Sequence, residues 1–278
     1  MSAGPIVDVG WLHERLGTAK VVDASWYLPQ MGRDADAEFH EAHIPGAVRF
    51  DIDQIADTDS GLPHTMPSPD RFAEEVGAVG LSADDLIVVY DGMGLFSAPR
   101  VRWMLRSMGA RDTHLLDGGM PAWRAAGYPV ESGAPPSRPA RFVPRRTGDV
   151  TVDRDGVDAA LGTTPVVDAR PLDRFTGETP EPREGMRSGH MPGARSLPFT
   201  ALQRDGRLLP PGELREAFRS AGVDPSRPLI STCGSGVTAA TVLLAQEALG
   251  HEAGRLYDGS WAEWGGRADT AVETGPPR

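Results

Sequence analysis

The stretch Leu229-Ile230-Ser231-Thr232-Cys233-Gly234-Ser235-Gly236-Val237-Thr238-Ala239 reads as a short buried strand, a glycine-opened loop and the start of a helix. The helical pattern then runs through Ala240 to Leu249. A strand that hands over so quickly to a helix points to an α/β fold with a mostly parallel sheet covered on both faces. In such sheets the ligand site lies beyond the carboxyl ends of the strands, which is where this loop falls. It carries Cys233, the only cysteine of the 278 residues. A thiol facing the N-terminus of the next helix meets free backbone N–H groups and the positive end of the helix dipole, so an anionic sulfur is stabilised there. The thiolate is the reactive form of cysteine. The position therefore predicts a nucleophile instead of an inert buried side chain.

The chain also repeats itself. Val21-Val22-Asp23-Ala24 returns as Val166-Val167-Asp168-Ala169, and His43-Ile44-Pro45-Gly46-Ala47 as His190-Met191-Pro192-Gly193-Ala194. Asp117-Gly118-Gly119 with Trp123 returns as Asp258-Gly259-Ser260 with Trp264. The near-constant offset predicts two copies of one domain, at residues 1–130 and 151–278, with the proline-dense stretch 131–150 as linker. In the first copy the apolar runs predict strands at Lys20–Ala24, Val48–Phe50, Leu86–Tyr90 and Thr113–Leu116. Helices are predicted near Val9–Leu16, Pro69–Val79 and Ala98–Met108, the second of them started by Ser68 as N-cap and Pro69 in the first turn. Superposing the copies places Asp91 where the second has Cys233, so one nucleophile per chain is expected. His43 and His190 recur in both copies, including the one without a nucleophile, and read as architectural.

Composition narrows the function classes. A lone cysteine rules out an internal disulfide and a multi-cysteine zinc site, and neither metal nor cofactor is expected. No apolar run approaches a membrane span. Met1-Ser2-Ala3-Gly4-Pro5 lacks a basic region followed by an apolar stretch, so no secretory signal is expected and cytoplasm is the default compartment. The formal net charge of −11 argues against a nucleic-acid surface. An anion-binding pocket here needs local arginines set against that overall field.

With these pieces in place, the chain resembles the two-domain rhodanese-type sulfurtransferases, nearest those that use 3-mercaptopyruvate. The resemblance is carried by Val22-Asp23-Ala24-Ser25-Trp26-Tyr27-Leu28-Pro29, Phe50-Asp51-Ile52-Asp53 and Ser97-Ala98-Pro99-Arg100-Val101. In the second half it runs through Arg174-Phe175, Glu178-Thr179-Pro180-Glu181-Pro182-Arg183, the Cys233 loop and Tyr257-Asp258-Gly259-Ser260-Trp261. It implies two tandem rhodanese-like domains, the second catalytic, and a persulfide on Cys233. Donor sulfur would come from 3-mercaptopyruvate, releasing pyruvate, or from thiosulfate. It would pass to a thiol such as thioredoxin, or to cyanide. Thiosulfate-using members typically carry Arg and Lys where this sequence has Gly234 and Ser235, which fits a donor with less negative charge.

By the same resemblance, Arg174 and Arg183 hold the donor's carboxylate and keto group, a task suited to the bidentate guanidinium fork. The competing reading is an ion-pair network in which Glu178, Glu181 and Glu184 occupy both guanidiniums. Asp53, His64 and Ser235 match a hydrogen-bonded triad of the family that would span a cleft and move a proton while Cys233 attacks. Backbone N–H groups from Gly234 through Gly236, Val237 and Thr238 are expected to cradle the outer sulfur. Thr238 reads equally well as a helix cap.

Two other classes compete. A cysteine-dependent phosphatase needs an arginine six residues after the nucleophile to clamp phosphate, and Ala239 stands there. A non-catalytic module with a decayed site conflicts with the intact Cys233, Ser235, Arg174 and Arg183.

Overall fold

The computed structural model describes residues 4–135 and 138–276. Met1-Ser2-Ala3, read above for a signal, and Pro136-Ser137 of the expected linker lie outside the described residues. The chain divides into two compact units. The first takes the described residues of Met1–Ala56, Met66–Gly148 and Asp205–Leu208; the second takes Asp57–Thr65, Asp149–Arg204 and the described residues of Leu209–Arg278.

The first unit is a parallel sheet of β1 (Ile6–Val7), β2 (Lys20–Asp23), β3 (Val48–Arg49), β4 (Ile87–Tyr90) and β5 (Thr113–Leu116), in the order β1-β5-β4-β2-β3. Helices α1 (Val9–His13), α2 (Ala35–Glu41), α3 (Pro69–Ala78), α4 (Ala98–Ser107) and α5 (Gly119–Ala125) flank it. The second unit repeats the order. Its sheet contains β6 (Thr151–Val152), β7 (Val166–Asp168) and β8 (Arg195–Ser196). The two-residue strands β9 (Gln203–Arg204) and β10 (Arg207–Leu208) follow in sequence, before β11 (Ile230–Thr232) and β12 (Arg255–Tyr257). The sheet runs β6-β12-β11-β7-β8, again parallel. Its helices are α6 (Arg154–Ala160), α7 (Leu172–Thr176), α8 (Pro211–Ser220), α9 (Ala239–Ala248) and α10 (Ser260–Trp264).

This order follows from the residues. β4 reads Ile-Val-Val-Tyr with every side chain buried, the pattern of a strand covered on both faces. In each unit the chain leaves the second strand towards one edge and the fourth towards the other, so the crevice between them is a topological switch point. The loop after β11 opens there. Aromatic side chains fill each core: Trp123, Phe39 and Tyr90 in the first unit, Trp261, Trp264, Phe175 and Tyr257 in the second.

Local signals explain the elements that were legible and those that were not. Ser68 Oγ accepts from the Arg71 N–H at 3.3 Å, capping α3 as its sequence predicts. β1 is two residues long, and α2 buries only Phe39 in a polar run, so neither shows a usable period. His43 and His190 do the same work in each unit: Nδ1–H donates to the carbonyl of Phe39 (2.8 Å) or Phe175 (2.9 Å), and each ring stacks on that phenylalanine.

The proline-dense stretch is laid along the first unit. His43 and Glu131 exchange main-chain hydrogen bonds of 2.8 and 2.9 Å. The Ala140 N–H donates to Gly77 (2.8 Å) and the Arg145 N–H to Met108 (2.8 Å). Phe142 is buried edge-on to Phe72 at 5.4 Å. Phe142→Ala should therefore destabilise the protein by about 3–5 kcal/mol. Urea unfolding measures it; near wild-type stability would mean that the stretch is not part of the first unit's core.

Candidate active site

Cys233 is the first residue past β11 and is almost wholly buried. Two features fix its main chain. The N-terminus of α10 closes on it, with the Trp261 N–H donating to the Cys233 carbonyl and the Ala262 N–H to the Gly234 carbonyl, both at 2.9 Å. The strand before it is tied to α9 by Ser231 Oγ, which donates to the Ala239 carbonyl at 2.8 Å. Within the loop, Gly236 takes a left-handed turn (φ +77°) that a side chain would strain. Val237 packs inward. Thr238 precedes α9 but makes no side-chain capping hydrogen bond among the described residues, so its cap reading is not met.

Both predicted arginines approach this loop. A Cβ at Gly234 would stand 3.2 Å from Arg174 Nη2 and 3.9 Å from Arg183 Nη1. A side chain there would crowd Arg174 by a few tenths of an ångström and be in ordinary contact with Arg183. Glu181 does pair with Arg174, through Nε (3.2 Å) and through Nη2, as the ion-pair reading anticipated. The pair is not a surface one. Glu181 is buried and shared, because Arg170 Nη1 also donates to it at 2.7 Å. Arg174 Nη1 keeps no hydrogen bond among the described residues and remains available to a ligand.

Arg170, which sequence reading passed over, organises this cluster. Nε and Nη2 grip the Asp168 carboxylate, Nη2 also donates to the Gly189 carbonyl (2.8 Å), and the guanidinium lies 4.2 Å over the Trp261 ring. Burial disfavours its charge, but Asp168 and Glu181 more than offset that and raise its pKa. It stays cationic throughout the range of protein stability. The first repeat offers the only sequence signal: Ser25 occupies the same place after Asp23, and both residues donate their N–H to that aspartate, at 2.8 and 2.9 Å.

His64 reaches the loop as part of the second unit. Residues 57–65 are closed by the Asp57 N–H donating to Thr65 at 2.9 Å. Next to that closure His64 adopts a left-handed backbone (φ +61°), is buried, and shares a 2.9 Å hydrogen bond between Nδ1 and Ser235 Oγ. Asp53 lies in the first unit, where Oδ2 accepts from Trp26 Nε1 at 2.9 Å.

The first unit displays what such a loop holds. Asp91 follows β4 as Cys233 follows β11, and Gly94 (φ +105°) turns as Gly236 does. The buried Asp91 carboxylate accepts five backbone N–H groups. Oδ1 takes Met93 (2.8 Å) and Gly94 (2.7 Å), while Oδ2 takes Phe96 (2.8 Å), Ser97 (3.0 Å) and Ala98 (2.8 Å). The loop at this sheet edge is an anion cradle, filled here by the chain's own side chain.

A family model for the rhodanese-like domain matches residues 8–126 and again 153–267. The chain belongs to the rhodanese family. A rat protein named 3-mercaptopyruvate sulfurtransferase is 43% identical over 274 residues, covering 95% of this chain and 92% of its own. A chicken protein named thiosulfate sulfurtransferase is 42% identical over 276 residues, covering 95% of this chain and 94% of its own. The crystal structure of SseA from Escherichia coli, a 3-mercaptopyruvate sulfotransferase, matches with TM-score 0.86 at 38% identity, covering 93% of this chain and 99% of that one. Both rhodanese units are thus accounted for, and only the second carries a thiol. Relatives named for different donors are about equally similar, so overall identity does not select the donor.

The cradle has a direct test. Asp91→Ala leaves five buried donors without their acceptor and should cost at least about 3 kcal/mol in urea unfolding. Unchanged stability would show that the amides do not depend on an anion.

Proposed function

We propose that this rhodanese family member is a sulfurtransferase that moves the sulfur of 3-mercaptopyruvate through a persulfide on Cys233. The observation that carries the reading is the approach of Arg174 and Arg183 to Gly234, next to the only thiol of the chain. Two guanidiniums there suit a donor with a planar carboxylate and an adjacent keto oxygen.

In the proposed reaction the Cys233 thiolate attacks the donor's sulfur. The carbon–sulfur bond breaks with its electron pair on carbon, giving the enolate of pyruvate, which takes up one proton. Cys233 is left as a persulfide. Ser235 and His64, already hydrogen-bonded, are the proposed route for that proton. Asp53 is proposed as the carboxylate of this relay by resemblance alone. Amides of Gly234, Gly236, Val237 and Thr238 are proposed to hold the outer sulfur, as the first unit's loop holds the Asp91 carboxylate. An acceptor thiolate then attacks the outer sulfur and regenerates the Cys233 thiolate. A small thiol, a thioredoxin-type dithiol or cyanide can serve in this step.

Thiosulfate is the second reading, favoured by the chicken relative's name. The loop argues against it as main donor. Thiosulfate-using members typically carry Arg and Lys at these two positions, whereas Gly234 and Ser235 add no cation beside Arg174 and Arg183. Cytoplasm is the proposed compartment; among the described residues no helix is long and apolar enough to cross a membrane.

Steady-state kinetics with both donors tests the reading. The protein should show the higher kcat/KM with 3-mercaptopyruvate. Arg174→Ala should lower that value roughly ten- to a hundredfold, from the loss of charge-assisted hydrogen bonds, and leave the acceptor's KM nearly unchanged. A higher kcat/KM with thiosulfate, or equal losses for donor and acceptor, would contradict it.

A further inference from the structure

Ser260, the first residue of α10, is fully buried and holds a left-handed backbone with φ +50°. Residues with a Cβ seldom adopt that conformation, and it persists where the surroundings enforce it. The turn itself needs no side chain. Its counterpart in the first repeat is Gly119, with φ +51°, where a Cβ would meet the Asp91 carbonyl oxygen at 2.3 Å. The second repeat carries a side chain at the same turn, beside the residue that replaces Asp91.

Its two hydrogen bonds show what the side chain does. Ser260 Oγ accepts from the Cys233 N–H at 3.3 Å and donates to the Tyr257 carbonyl at 2.8 Å. β11 pairs with β12 in parallel, with Ser231 opposite Leu256. Continuing that register, the next rung would run from the Cys233 N–H directly to the Tyr257 carbonyl. The hydroxyl is inserted into this rung. It keeps both groups satisfied while holding them one oxygen atom apart, at the residue that bears the sulfur.

We infer that Ser260 is a positioning residue for sulfur transfer: its inserted hydroxyl sets the main chain of Cys233 and so the direction in which Sγ is presented. The inference rests on Cys233 being the nucleophile proposed above. Hydroxyl and backbone strain act in opposite directions on stability and activity, which separates this role from a purely structural one. Ser260→Gly removes the strain and lets the strand rung close directly, as glycine stands at this turn in the first repeat. Ser260→Ala keeps the strain and removes the bridge.

The experiment measures thermal midpoint, kcat and donor KM for wild type and both variants, together with amide hydrogen exchange of the peptide spanning Cys233. Ser260→Gly should melt at or above the wild-type midpoint and yet lose roughly ten- to a hundredfold in kcat, with donor KM little changed, the signature of a misaimed nucleophile. Ser260→Ala should lose kcat similarly, gain no stability and exchange the Cys233 amide faster than wild type. Wild-type kcat in Ser260→Gly would overturn the inference, as would wild-type exchange at Cys233 in Ser260→Ala. If wild type transfers sulfur from neither donor, the functional reading fails instead; the exchange measurement still reports whether Ser260 holds the Cys233 amide.

Discussion

Backbone amides converging on a carboxylate, at the carboxyl edge of a parallel sheet, are the constraint that shapes the first unit's loop and the reference for reading the second. In the first unit the five amides around Asp91 are satisfied permanently, and the loop becomes part of the core. In the second unit the side chain at that position is a thiol. A thiol is neutral when protonated and anionic as thiolate or persulfide, so in the proposed mechanism charge at this position comes and goes, where in the first unit it is fixed.

The rest of the second unit supplies cations to a chain whose formal net charge is −11. Arg170 is buried between Asp168 and Glu181, and Glu181 in turn grips Arg174. Isolated buried charges are costly, and a shared carboxylate between two guanidiniums offsets that cost while restricting how Arg174 can move. What looks like competition for the arginine proposed to bind the donor is better understood as its support. Glu181 holds Nε and Nη2, and among the described residues Nη1 makes no hydrogen bond.

Much of this is legible in the sequence. The twofold repeat, the strand–loop–helix around Cys233 and the Asp91 counterpart rest on local patterns, which sequence carries well. Other features depend on pairs that sequence keeps far apart. Arg170 looks like an ordinary arginine in a loop until Trp261 and Glu181 are placed beside it. Ser260 looks like a neutral exchange for Gly119 until the backbone angle and the rung between β11 and β12 are known. His64 lies in a stretch flanked by first-unit residues, yet residues 57–65 group with the second unit. No periodicity announces such an excursion. Only the family resemblance pairs Asp53 with His64.

The central claim is that one sulfur atom is carried on Cys233 and nowhere else, and intact-mass spectrometry tests it most directly. After exposure to 3-mercaptopyruvate and removal of the excess, the protein should be heavier by a single sulfur atom, with one pyruvate released per chain. Treatment with cyanide should remove that mass, and Cys233→Ser should never acquire it. Pyruvate release without a gain in mass, or a gain that survives in the Cys233→Ser protein, would contradict the account.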